Sequence, residues 1–294
     1  MKKTYADMTA EECAKYYAKK VKKLYVCYTL TLILLAAIFL MGYIYILPLS
    51  YWDEEVLEIF EGVNRVWHSL LYISMFLSYL VFVFIRAVQI SSFNGIATSL
   101  CDPEKYIEAA KIISKKALLG HKTKYKQTRF ANAYMLLQDY DNAWKILEKL
   151  IPNDITKCNN RYILEALSCY YCSAEDKENA IKYLTRLEEI KASKKVSSKF
   201  LGLTIDNIKG SIALDEKKYD EAKEYINRCL DYKYLGSASK VSCFFRLAEI
   251  AYETGDYAEA IHMYKSAIDI GGKLHYVAEA EEKLEELEAK IIKD

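Results

Sequence analysis

Several features that would indicate an enzyme or an unfolded chain are absent from this sequence. The 294 residues include only three prolines, and 52% of them are hydrophobic, which excludes extensive disorder. The 41 basic and 40 acidic residues give a formal net charge of +1, which excludes a general attraction to nucleic acid. The four histidines form no HExxH motif, and no GxSxG, Walker-type or GxGxxG motif occurs. We therefore expect no enzyme activity, no cofactor and no nucleic-acid partner.

The eight cysteines do not form a disulfide framework in the sequence. They are scattered, and only Cys169 and Cys172 lie close together, in the segment CYYC. Two thiolates one helical turn apart could form half of a zinc site or a redox pair. No second pair follows at zinc-finger spacing, so we expect small buried side chains and no metal site. A thiol or zinc enzyme built on this pair is an alternative function.

Charge is also absent from two long stretches near the N-terminus. Residues 24–52 contain no charged side chain, and the apolar part, 24–47, is long enough to cross a hydrocarbon layer about 30 Å thick. A second span is predicted at about 66–88, where Val66 to Ile85 carry no charge apart from a proton on His68. A cleaved signal peptide fits the first stretch poorly, because a long segment precedes it and no small-x-small site follows. A buried hairpin of a soluble protein is the other alternative.

The charges beside the two stretches predict their orientation. Residues 1–23 contain seven lysines, whereas the loop at about 48–65 contains five acidic residues and one arginine. Lysine and arginine are retained on the cytoplasmic side of membrane proteins. We therefore expect a basic cytoplasmic helix at 1–23, a short acidic outer loop, and a multi-pass protein of the cell membrane with both termini in the cytoplasm. The lipid bilayer is its first predicted partner.

The rest of the chain contains a repeat. The segment DYAEA (256–260) recurs in altered form four times, and its alanines are separated by 34, 37, 42 and 38 residues. Another small residue lies twelve positions before each alanine, as expected where two antiparallel helices cross closely. The five pairs are Ala97 and Ala109, Ala131 and Ala143, Ser168 and Ala180, Gly210 and Ala222, and Ala248 and Ala260.

This pattern resembles the tetratricopeptide repeat family, whose unit has a small residue in helix A, a Gly-x-Tyr turn and an alanine in helix B. The last unit, FFRLAEIAYETGDYAEAIHMYKSAI, is most similar to it, whereas the third unit lacks the Gly and Tyr of the turn. The resemblance implies an all-α fold. We expect a transmembrane helical hairpin (24–90), a solenoid of about five helix pairs (91–272) and a C-terminal capping helix (273–294).

The resemblance also implies a binding groove for a peptide or protein, formed by the first helix of each pair. The family's groove positions correspond to Thr128 and Asn132, Glu165 and Cys169, Asn207 and Ser211, and Phe245 and Glu249, with Tyr125, Tyr162 and Tyr252 alongside. The Lys-Asn-Asn-Lys-Arg set by which chaperone-binding members hold a terminal carboxylate is matched only at Asn132. We therefore do not expect binding of a heat-shock chaperone tail.

The sequence thus predicts a scaffold that binds a protein or peptide partner and tethers it at the membrane. The main alternative is a regulatory module in which partner binding changes the packing or oligomeric state of the membrane helices. A homo-oligomer is compatible with either function.

Overall fold

The computed structural model describes residues 4–46, 54–115, 124–193, 198–233 and 235–291. Within these ranges the chain is helical and contains no strand, which confirms the predicted all-α fold. The helices are α1 (Ala10–Ile46), α2 (Glu54–Thr98), α3 (Pro103–Lys115), α4 (Lys124–Met135), α5 (Tyr140–Leu147), α6 (Arg161–Ser173), α7 (Lys177–Ala192), α8 (Ser198–Asp215), α9 (Tyr219–Leu230), α10 (Ser237–Glu253), α11 (Tyr257–Gly271) and α12 (His275–Ile291). They belong to two compact units, a hairpin unit (12–93) and a repeat unit (1–11 and 94–294).

In the hairpin unit, α1 and α2 pack side by side in opposite directions. Aromatic side chains connect the two helices along their length. Residues with higher numbers in α1 contact residues with lower numbers in α2. The contacts and their ring-centroid distances are Tyr17–Phe93 at 4.6 Å, Tyr28–Phe82 at 4.4 Å and Phe39–His68 at 5.1 Å. This order establishes an antiparallel pair, as the two predicted spans require.

Both helices of the hairpin unit are long and apolar enough to cross a membrane. The segments Ala10–Gly42 and Arg65–Thr98 reach mean hydropathies of 2.4 and 2.0, and their most apolar windows are not buried within the molecule. Leu34, for example, is 60% exposed. A core helix of a soluble protein would bury such a surface, so the pattern fits a helix in contact with lipid.

The acidic segment between the predicted spans differs from the expected loop. It is helical from Glu54 onward, as the first part of α2, while residues 47–53, including the end of the first predicted span, lie outside the described residues. Glutamate is a good helix former and is favourable near a helix N-terminus, where its charge interacts with the helix dipole.

The repeat unit consists of helix hairpins that cross at the predicted small residues. The pairs α4–α5, α6–α7, α8–α9 and α10–α11 pack closely, and α12 covers α11. All ten small residues of the repeat are buried. Their neighbours show how little room there is: the Ser168 hydroxyl donates to the Ala180 carbonyl at 2.9 Å, and a Cβ at Gly210 would lie 3.3 Å from Ile226. The predicted close crossings are therefore present in these four hairpins.

The turns inside these four hairpins share one backbone conformation. Gln138, Glu175, Lys217 and Gly255 all have positive φ angles, between 57° and 83°, and each lies five residues before the buried alanine of its unit. The third unit therefore keeps the turn although Glu175 stands where glycine would be favoured. In three of the four, an aspartate then caps the second helix by accepting from a backbone N–H three residues on; these are Asp139, Asp176 and Asp256.

The first predicted unit is different. The end of α2 and α3 do not form a comparably packed hairpin within the described residues, and the positive φ falls at Cys101, eight residues before Ala109 (109 − 101). Ala97 and Ala109 are nevertheless buried.

Candidate binding cavity

The repeat unit contains an open cavity of about 280 Å³ on its inner face, lined by both polar and apolar side chains. Most of the side chains that line it come from the end of α2, from the first helices α4, α6, α8 and α10, and from the beginning of α12. Tyr106 of α3 and Tyr140 of α5 complete the wall. Because each of the first helices repeats the same position in its own hairpin, their inner faces point to a common space.

Contacts between the two ends of the repeat unit close this cavity on one side. The backbone N–H and the ring Nδ1 of His275 lie 3.4 and 3.0 Å from the Leu136 carbonyl, and a carbonyl only accepts, so Nδ1 carries the proton. The Lys273 N–H donates to the Cys101 carbonyl at 2.8 Å. We call these the closing contacts. Burial lowers the pKa of His275, against the hydrogen bond to Leu136, and so favours the neutral ring.

Arg246 connects α10 to α8 at the wall of the cavity. It is only 7% exposed, and its guanidinium donates to the Asn207 backbone carbonyl at 3.2 Å, to the Asn207 Oδ1 at 2.5 Å and to the Ser211 Oγ at 2.9 Å. All of these acceptors are neutral. Among the described residues no carboxylate forms an ion pair with Arg246, but its charge acts on the carboxyl of Asp215, whose pKa is raised by burial while Arg246 acts in the opposite direction.

Two asparagines offer the cavity complementary hydrogen-bonding groups. The Oδ1 of Asn132 is buried and has no hydrogen-bond partner among the described residues, which leaves an acceptor to be satisfied by a ligand or by water. Asn207 is held in one orientation because its Oδ1 accepts from Arg246, so its Nδ2 is the remaining donor.

Glu165 adds an acidic group to the same wall. Burial raises the pKa of its carboxyl, while the charges of Arg129 and Arg161 and a hydrogen bond from Thr204 act in the opposite direction. The proton of this carboxyl is therefore held more tightly than on an exposed glutamate.

The two cysteines of CYYC also line the cavity. Burial raises the pKa of both thiols, that of Cys172 to about 12. A nucleophilic or metal-binding thiol requires the opposite shift. Among the described residues no group of three or more His, Cys, Asp or Glu side chains could hold a metal ion.

The structure brings some of the predicted groove residues to this cavity and not others. Asn132, Glu165, Asn207 and Ser211 line it, as does Cys169. Thr128 is buried at 2% exposure, and the hydroxyl of Tyr162 accepts from Arg161 away from the cavity. The side chain of Tyr125 lies outside the described residues.

In the fifth unit, side chains of the last three helices cover the predicted groove positions. Phe245 packs between Tyr264 and Tyr276, and Glu249 accepts a hydrogen bond from the Tyr264 hydroxyl. Tyr252 packs against Tyr257. None of the three lines the cavity.

Sequence reasoning missed Arg246, His275 and Tyr276, which line the cavity. Arg246 lies two residues before the small residue Ala248, outside the family's groove positions. A basic residue within the otherwise apolar segment FFRLA (244–248) was the signal that could have found it.

The family model of the tetratricopeptide repeat matches residues 203–271, which form most of α8 and all of α9, α10 and α11. Neither the curated proteins nor the solved structures gave a match to this chain.

Proposed function

Because residues 203–271 are tetratricopeptide repeats, which are protein-protein interaction modules, we propose that this protein is a membrane-anchored scaffold. Its hairpin unit spans the bilayer twice, and its repeat unit binds an extended segment of a protein partner in the cavity and tethers it at the membrane. Both termini lie in the cytoplasm, on the side of the seven lysines of residues 1–23.

The observation that carries this proposal is the pair of amides in the cavity. A peptide group has one N–H donor and one C=O acceptor. The unpartnered Asn132 Oδ1 accepts from the N–H, and the Asn207 Nδ2 donates to the C=O. A backbone recognised in this way leaves the partner's side chains free to contact the tyrosines of the wall, Tyr106, Tyr140 and Tyr276.

The cavity limits the size of the bound segment. Its volume of about 280 Å³ is near the lower end of known ligand pockets, and the closing contacts prevent a long helix from lying across it. A few residues of an extended chain are the partner that fits.

The membrane anchor gives this weak site its effect. A segment bound to a repeat unit at the bilayer meets other membrane proteins at a local concentration in the millimolar range, without any additional contact. Tethering therefore needs neither a catalytic group nor a conformational change of the hairpin unit.

The proposal is tested with the full chain in native membranes, by crosslinking followed by identification of the attached peptides. The Asn132→Ala/Asn207→Ala variant is compared with Asn153→Ala/Asn227→Ala, which changes two exposed asparagines of the same unit. We expect at least a tenfold loss of crosslinked partner for the first variant and none for the second, since two buried hydrogen bonds are removed. Equal crosslinking by both variants would show that the cavity is not the binding site.

A further inference from the structure

One end of the hairpin unit carries a group of lysines with no acidic partner. Lys19, Lys20, Lys22 and Lys23 are all exposed, and we call them the lysine collar. None of them forms an ion pair with a carboxylate among the described residues. The collar therefore presents four uncompensated charges within little more than one helical turn.

The collar lies on one face of α1. The opposite face of the same turns is buried and consists of Cys13, Ala14, Tyr17 and Val21. At 100° per residue, the mean direction of the four lysines lies about 155° around the helix axis from that of these side chains, and Lys20 is at the border between the two faces. The lysines are thus directed outward while the helix is fixed by its other side.

Arg86 of α2 lies at the same end. It directly follows the second apolar stretch, and its guanidinium donates to the Tyr17 hydroxyl at 2.8 Å and lies 5.6 Å from the centroid of that ring. Tyr17 lies on the N-terminal side of the collar, so Arg86 extends away from the apolar part of the hairpin. This is how a long basic side chain behaves at the edge of a hydrocarbon layer.

The collar also lies at the height of lipid headgroups. The apolar stretch begins at Leu24, immediately after Lys23, and Lys19 is about 7.5 Å further along the axis at 1.5 Å per residue. The headgroup region of each leaflet is about 5 to 8 Å thick. All four ammonium groups therefore fall within the layer that contains the lipid phosphates.

From these positions we propose that the lysine collar binds the headgroup phosphates of anionic phospholipids. The inference rests on the proposed membrane span and adds a preference for one class of lipid to it. Each lysine near an anionic surface contributes about 1 kcal/mol of attraction, and the contributions are screened by salt within a Debye length. Nucleic acid or an acidic protein would have to approach a surface that the headgroups already occupy.

The test uses the full chain in nanodiscs of phosphatidylcholine and phosphatidylglycerol at a ratio of four to one. After extraction in mild detergent, the retained lipids are counted by mass spectrometry. The wild type should retain phosphatidylglycerol in excess of its share, and Lys19→Gln/Lys20→Gln/Lys22→Gln/Lys23→Gln should reduce this enrichment about tenfold. One molar salt should reduce the wild-type enrichment in the same direction.

The matched control is Lys149→Gln/Lys182→Gln/Lys217→Gln/Lys240→Gln, which removes the same charge from exposed positions of the repeat unit. It should retain the wild-type enrichment. If both variants lose enrichment equally, or neither does, the collar is not the lipid site. Insertion into pure phosphatidylcholine is measured first: failure there contradicts the membrane span, whereas insertion without a preference for phosphatidylglycerol contradicts only the collar.

Discussion

The hairpin unit and the repeat unit are both made of α-helices, yet they expose opposite kinds of surface. In the hairpin unit Leu34 is 60% exposed, whereas in the repeat unit Ala260 is completely buried and charged residues such as Lys182 face outward. In the hairpin unit the hydrogen bond between Arg86 and Tyr17 is partly buried, whereas in the repeat unit the amide side chains of asparagines line the cavity. The difference fits a hairpin unit that is solvated by lipid and a repeat unit that is solvated by water, because a helix exposes the side chains that its surroundings solvate.

The largest expected effect comes from placing charge on the exposed face of the hairpin unit. Leu34→Lys/Leu80→Lys should oppose membrane insertion by about 6 kcal/mol, since each central lysine costs about 3 kcal/mol in a bilayer. The matched variant Ile181→Lys/Ile270→Lys changes two similarly exposed side chains of the repeat unit and should alter stability by less than about 0.5 kcal/mol. Resistance of the full chain to alkaline extraction is the measurement, and unchanged resistance of the first variant would show that this face does not meet lipid.

A smaller effect is expected from overfilling a helix crossing. Ala260→Leu adds three carbon atoms at a site with no exposure and should lower the stability of the repeat unit by about 2 to 3 kcal/mol. Ala37→Leu makes the same change at an exposed position of α1 and should alter stability by less than about 0.5 kcal/mol. Thermal unfolding in detergent micelles, followed by circular dichroism, compares the two, and equal shifts would remove the distinction between the units.

The smallest effect concerns the closing contacts. Because the pKa of His275 is lowered in the folded state, the stability that it contributes is present above about pH 6.5 and is lost as the pH falls toward the folded pKa. Between pH 7.5 and 5.5 the wild type should therefore lose up to about 1 kcal/mol more than His275→Asn, which keeps a donor for the Leu136 carbonyl. Denaturant titrations at the two pH values measure the difference. An equal loss in both proteins would mean that His275 does not titrate in this way.

The parts of the repeat unit that depend on local spacing could be predicted from the sequence. The small residues twelve apart predicted close helix crossings, and all ten are buried. The side chains four residues after each alanine are buried as well, among them Leu147 and Tyr264. Such features follow from the geometry of one hairpin, which a short stretch of sequence determines.

The cavity could be predicted only in part, because its shape depends on contacts between distant residues. Asn132 and Asn207, which line the cavity, are among the groove positions that the family resemblance implies. Phe245 and Glu249 were selected by the same rule, but Tyr276 of α12 packs against Phe245 and the Tyr264 hydroxyl of α11 donates to Glu249. The bond between His275 and Leu136 spans 139 residues, and no pattern within one unit indicates it.

The closing contacts also restrict how this chain can evolve. Open solenoids lengthen by tandem duplication, because each added hairpin needs only one neighbour to pack against. Here an additional hairpin would separate Leu136 from His275 and uncover the surfaces that they now hold together. The number of repeats is therefore fixed by the meeting of the two ends, as the number of strands is fixed in a closed barrel, and new binding specificities have to arise by exchanging side chains in the cavity.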